Sequence, residues 1–244
     1  VSYRGLLSLV LALTLGAVVL SGCETTAEKS AKLERAAKRV TVQQEKGLTI
    51  ERVSSSIEAI DTTVLRSAER AAAVVTVKNR SSTAQRDVPI AIAVKDGAGK
   101  TVFQNDEPGL EGTLVSVPAI PAHGTVVWVD DQVPLSGSPA SVSARIGQAR
   151  PVSELPALAI SGAKLGEDPA SGWIAEGTVA NRSKVAQSGL VLFALARRAG
   201  KIVAAGRAIV PQLAPGASAP FQASLVGDAH GASVQVSAPP ASFG

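Results

Sequence analysis

Thr76-Val77-Lys78-Asn79-Arg80-Ser81 returns 102 residues later as Thr178-Val179-Ala180-Asn181-Arg182-Ser183, and the likeness continues through Ala84-Gln85 and Ala186-Gln187. Over residues 76–87 against 178–189, 7 of 12 positions are identical, so the chain carries an internal duplication. The match extends to Asp96-Gly97-Ala98-Gly99-Lys100 against Arg197-Arg198-Ala199-Gly200-Lys201. It continues through Ala122-His123-Gly124 against Ala214-Pro215-Gly216, which pairs His123 with Pro215, and closes on strands around Val142 and Val234.

Within each copy, β-branched residues alternate over short runs, and Gly, Pro, Asn and Ser punctuate them every 8 to 12 residues, the pattern of antiparallel strands and tight turns. A copy of about 90 residues is close to the roughly 100 of an immunoglobulin-like sandwich. The expected fold is all-β, with two tandem immunoglobulin-like β-sandwiches at 57–150 and 151–244. In the first copy strands are expected near 57–66, 71–79, 88–95, 100–104, 113–118, 124–129 and 140–147, with the same series from about 157 to 238 in the second. Asn79-Arg80-Ser81 and Asn181-Arg182-Ser183 should close turns through their own side chains. Asp96-Gly97-Ala98-Gly99 should supply the positive φ angles of a hairpin.

The residues before the duplication carry an address. Arg4 precedes an uncharged apolar run from Leu6 to Leu20, shorter than the roughly 20 residues of a membrane-crossing helix. It ends in Leu20-Ser21-Gly22-Cys23. A positive charge, a short apolar core and small residues are the parts of a cleavable signal peptide, here residues 1–22. The ending resembles the lipobox of bacterial lipoproteins, formed by Leu20, Ser21 and Gly22 before the modified cysteine. That resemblance implies a diacylglyceryl group on Cys23 and cleavage before it, which would hold the chain in the cell envelope, on the extracytoplasmic side of a bacterial membrane. Cys23 is the only cysteine, so the exported part would hold no free thiol, as suits an oxidising compartment. Residues 23–56 read as the lipidated cysteine followed by a charged helical tether, with Leu33, Ala36, Ala37 and Val40 on one narrow stripe.

The duplicated segments also resemble the bacterial FxLYD-type immunoglobulin-like domain of exported proteins and lipoproteins. Phe193-Ala194-Leu195 matches the start of its central strand and Ile92-Ala93-Val94-Lys95-Asp96 is a conservative version. The tyrosine is missing from both copies, and Arg197 stands at the counterpart of Asp96. The resemblance implies a structural module and brings no catalytic residue with it.

Composition narrows the function further. With 45% hydrophobic and 18% charged residues in 244, the chain is too apolar to be one long disordered polymer. One cysteine and two histidines leave little for transition-metal chemistry, and no cofactor is expected. A net charge of +4 from 24 basic and 20 acidic residues is no nucleic-acid-binding surface. His123 and His230 each lie in turns, and no serine sits in a Gly-x-Ser-x-Gly elbow, so no catalytic residue is assigned.

The most unusual stretch is Trp128-Val129-Asp130-Asp131, whose partner around Phe221-Gln222-Ala223 lacks the acids. Trp128, Asp130 and Asp131 are the candidate partner-binding residues, because an exposed Trp beside carboxylates can be an interface hot spot. Trp128 also fits the aromatic that a sandwich buries between its sheets. Adjacent acids on a strand point to opposite faces and cannot work as a catalytic pair. The expected function is a membrane-anchored, non-catalytic module that binds another envelope protein, with an envelope enzyme or small-ligand receptor using a site between the sandwiches as the alternative, and a mechanical spacer as a third.

Overall fold

Asn79 and Asn181 close the same turn with the same kinds of bond, differing only in the second carbonyl each reaches, which explains why this motif is the best preserved part of the duplication. The Nδ2 of Asn79 donates to the Thr83 and Pro121 carbonyls at 2.8 and 3.0 Å, and its Oδ1 accepts from the Ser81 N–H and hydroxyl at 2.9 and 2.7 Å. Asn181 donates to Val185 and Leu213 at 2.8 and 3.1 Å and accepts from Ser183 at 3.0 and 2.7 Å. Each clamp ties a strand end to two other segments of its own sandwich. Both asparagines are fully buried, so every one of these bonds replaces one that water would otherwise supply.

The computed structural model describes residues 47–244; the signal segment, Cys23 and the tether up to residue 46 lie outside the described residues. Residues 47–56, expected as the end of a helical tether, are not helical, because Val53 bridges to Gly147 and the Ser54 N–H donates to the Ile146 carbonyl of the first sandwich. The chain runs β1 (Ile57–Arg66), β2 (Ala71–Asn79), β3 (Ala84–Lys95), β4 (Thr101–Gln104), a helical turn α1 (Gly112–Val115), β5 (Ser116–Ile120), β6 (Thr125–Val133) and β7 (Ser141–Ile146). β8 (Arg150–Val152) follows, then β9 (Leu158–Asp168), β10 (Gly172–Asn181), β11 (Gln187–Arg198), β12 (Lys201–Leu213), β13 (Ser218–Ser224), β14 (Val226–Gly227) and β15 (Ser233–Ser237). All pairings are antiparallel. The fold is all-β and built of sandwiches. In the first, β1-β2-β6 faces a sheet centred on β3, which pairs with β4 and β5 and also with β7 and β8; in the second, β9-β10-β13 faces β14-β12-β11-β15. The first sandwich holds the chain as far as Val152, because β8 pairs with the start of β3.

Two further expectations need correction. The strand expected at 113–118 begins with α1, and β5 starts only at Ser116. The second copy does not repeat that break: β12 is one strand of 13 residues along β11, where the first copy has β4, an excursion and β5 along β3. The buried Asn105 opens the excursion and supplies the bonds the ladder loses there. Its Oδ1 accepts from the Ile92 N–H at 2.7 Å, and its Nδ2 donates to the Ile90 and Leu114 carbonyls at 2.9 and 2.8 Å. The second correction concerns His123. The Gly124 N–H donates to Pro121 O as the Ala217 N–H donates to Ala214 O, so His123 stands opposite Gly216 rather than Pro215. Both have positive φ, 52° and 73°, which a proline could not adopt.

Burial shows how the sandwiches meet. An ordinary strand buries alternate residues, yet Ala71 to Val75 of β2 and Leu190 to Ala196 of β11 are buried without interruption, so both faces of these strands are covered. One face of each lines its own sandwich. The other belongs to a shared cluster in which Leu65, Ala72, Val74 and Val129 of the first copy join Val191, Phe193, Leu195, Ala205 and Val226 of the second. The two sandwiches are stacked face to face on a continuous apolar layer.

The corresponding outer face of the second sandwich has a different chemistry. Thr63, Val74 and Val129 are neighbours across β1, β2 and β6; Lys164, Glu176 and Gln222 hold the equivalent places across β9, β10 and β13. Lys164 and Glu176 form an ion pair at 3.0 Å on that face. On the other side, the Val191, Phe193 and Leu195 that press into the contact correspond to Pro89, Ala91 and Ala93 of β3. Of these duplicated faces, the larger apolar residues are those where the two sandwiches meet.

Candidate functional site

The stretch Trp128–Asp131 lies at the end of β6, inside the structure rather than on an open surface. Trp128 is fully buried, and its indole N–H donates to the Thr113 carbonyl at 2.8 Å. It pairs with Val75 across the strands as Phe221 pairs with Gly177, which makes the two aromatics equivalent core residues. Beyond Trp128 the ladder has a bulge: Ala73 faces Asp130 and Ala71 faces Val133, leaving Asp131 and Gln132 opposite Ala72.

The two aspartates then take separate environments. Asp131 points at the second sandwich, where the Arg207 side chain donates from Nε to Oδ1 at 3.1 Å and the Arg207 backbone N–H donates to Oδ2 at 3.1 Å. The guanidinium also donates to the Thr113 hydroxyl at 2.9 Å and stands 3.8 Å from a Glu111 carboxylate oxygen. Side chains of Arg207 and Asp131 are 5% and 10% exposed, so this is a buried, hydrogen-bonded ion pair between the sandwiches. Asp130 occupies the place that the buried Ala223 holds in the second copy. Its carboxylate accepts from the Gln132 N–H at 2.9 Å. Burial pushes its pKa up from 3.8 to about 6; the Gln132 bond and the nearby Arg207 charge pull it down, and the Asp131 charge adds a little upward.

Sequence reasoning offered Trp128, Asp130 and Asp131 as partner-binding residues. The structure brings Trp128, Asp130 and Asp131 together and buries all three, and within the chain they bond to Thr113, Gln132 and Arg207 respectively. A ligand entering between the sandwiches at this point would have to displace the Arg207 contacts and the apolar layer beside them. Open depressions lie elsewhere, one against Lys164, Glu176 and Phe221 and another between Ser153 and the Arg182–Val185 turn. Neither is lined by Trp128, Asp130 or Asp131. Arg207 and Thr113 were not singled out from sequence. The signal for Arg207 was a lone charge within the apolar run Val203–Val210 of a strand.

The class defined by this fold is an all-β protein of two stacked antiparallel sandwiches, each centred on an Asn-clamped turn. No protein-family model matches the chain, and no curated protein matches it.

Proposed function

We propose that this chain is a cell-envelope lipoprotein, anchored to the extracytoplasmic side of a bacterial membrane by lipid on Cys23, whose stacked sandwiches serve as a non-catalytic protein-binding or scaffolding module. The observation that carries the reading is Leu20-Ser21-Gly22-Cys23 at the end of an apolar run in a chain with no other cysteine. Two acyl chains suffice for stable attachment, since each buried methylene contributes about 0.8 kcal/mol. Binding is favoured over catalysis because the one acidic constellation picked out by the sequence is engaged by Arg207 within the contact between the sandwiches. Strand edges, with their unpaired backbone groups, are the features that suit an extended partner segment.

The test is fractionation of cells carrying the chain or its Cys23→Ser variant. The parent is expected to stay with membranes after a high-salt wash, and the variant is expected in the soluble exported fraction. A variant that remains equally membrane-bound overturns the anchor. In-cell crosslinking followed by identification of a reproducible envelope partner addresses the binding role; reproducible absence of any captured protein counts against it.

A further inference from the structure

Ala232-Ser233-Val234-Gln235-Val236-Ser237-Ala238 reads the same in both directions. Its central five residues are β15, which lies at the end of the sheet order β14-β12-β11-β15 and pairs with β11 alone among the described strands. Edge strands are normally guarded by charge, proline, a bulge or short length. The others here follow that rule. β1 carries a bulge and charges, β9 a bulge with Lys164 and Glu167, and β6 its bulge with Asp130 and Asp131. β5, β8 and β13 contain Pro118, Pro151 and Pro220; β4 and β14 are four and two residues long.

β7 is the counterpart of β15 in the first copy and is also guarded. It carries Arg145, and the Thr62 hydroxyl donates to its Val142 carbonyl at 2.9 Å. β15 has no charge, no proline and no bulge; Pro239 and Pro240 come only after the palindrome.

We propose that β15 is a self-association edge, which pairs antiparallel with β15 of a second copy about a two-fold axis at Gln235 and joins two four-stranded sheets into one of eight strands. The occupant is argued from the palindrome. Antiparallel pairing centred on Gln235 sets Val234 opposite Val236 and Ser233 opposite Ser237, so every cross-strand pair is matched in size and polarity on both halves. Val234 and Val236 pack against the core of the second sandwich and are only half-buried; the copy's valines would cover their open flanks. Gln235 and Ser233 are exposed on the other face, where the Arg197 guanidinium reaches the Gln235 side-chain carbonyl at 3.3 Å.

The register makes the test specific. Residues that face their own copy across the axis come within disulfide reach, whereas the two Ser233 positions would lie about 14 Å apart along the strands. The full chain is oxidised in intact cells and, separately, in detergent micelles, which removes any dependence on where the protein resides. Cys23 is kept throughout, so the parent chain reports background. Gln235→Cys is expected to give a disulfide-linked dimer in both settings. Ser233→Cys and Ser237→Cys should each stay at the parent's level, and the Ser233→Cys/Ser237→Cys double variant should crosslink. These substitutions are on a strand edge, and unchanged protease resistance confirms the fold. A Gln235→Cys chain that stays monomeric overturns the proposal. So does a Ser233→Cys chain that crosslinks as well as Gln235→Cys, which marks random collision, or a different protein trapped at position 235.

Discussion

Arg207 of the second sandwich donates from its side-chain Nε and its own backbone N–H to the two oxygens of Asp131 in the first, each at 3.1 Å. Removing one partner strands the other charge in a closed contact. Asp131→Ala and Arg207→Ala are each expected to destabilise the protein by about 3–5 kcal/mol. Asp131→Leu with Arg207→Met should recover most of that loss, because an apolar pair avoids the desolvation of two ions. Urea denaturation of the two singles and the double measures this; a double variant as unstable as the sum of the singles would show that the pair is not a unit.

The apolar layer predicts a second outcome. Val74 sits under the second sandwich, while its equivalent Glu176 pairs with Lys164 on an uncovered face. Val74→Glu buries a carboxylate with no cation provided for it, at a cost of about 3 kcal/mol or more. Hydrogen exchange should rise along β2 and β11 together, since both lose the same cover. Glu176→Val, on the uncovered face, should leave both strands as protected as in the parent.

How much of this was legible in the sequence depends on the range of the forces. β1 and β2 were read at their observed limits, Ile57–Arg66 and Ala71–Asn79, because alternation and turn residues are local. The region 113–118 was misread because its turn is held from afar: Trp128 takes the Thr113 carbonyl and Asn105 the Leu114 carbonyl. Asp131 stands out in the sequence as an unusual residue, but its bond to Arg207 does not, since Arg207 lies 76 positions away and no local pattern links them. Pairing of the two copies could have supplied a clue. At some positions that differ between them, such as Val74 against Glu176 and Phe193 against Ala91, one copy is covered by the other sandwich and its counterpart is not.

Asp130 gives a prediction with a definite pH window. Its folded pKa of about 6 exceeds the 3.8 of the unfolded chain, so the folded state holds the proton more tightly. The contribution is therefore most favourable below pH 3.8, is lost as pH rises towards 6, and leaves a deficit of about 3 kcal/mol above that. Asp130→Asn keeps an oxygen for the Gln132 N–H and never ionises. It is expected to match the parent near pH 4 and to exceed it by about 1–3 kcal/mol at pH 8. Denaturant midpoints for both proteins across this range test it; a constant difference would assign the effect to packing.

The paired clamps allow a prediction in which one copy controls for the other. Asn79 and Asn181 each donate twice through Nδ2 and accept twice through Oδ1, and both are fully buried. Alanine at either site removes all four bonds, but the Pro121 carbonyl still accepts from the Gly124 N–H, the Thr83 carbonyl from the Ser81 hydroxyl and the Val185 carbonyl from the Ser183 hydroxyl, so the expected cost is about 1–3 kcal/mol in all. The cost should be the greater at Asn181, because its second acceptor is the buried Leu213, which stands where Ile120 does in the first copy, whereas Asn79 reaches the exposed Pro121. Aspartate separates donor from acceptor chemistry. Its carboxylate still accepts from Ser81 or Ser183 but turns a charged oxygen towards two carbonyl oxygens that repel it, so Asn79→Asp and Asn181→Asp should be worse than alanine at pH 8. Lowering the pH towards 4 protonates the aspartate, restores one donor, and should return part of the loss in the aspartate variants alone. Equal stability of the aspartate and alanine variants at both pH values would show that the Nδ2 bonds to Thr83, Pro121, Val185 and Leu213 contribute nothing.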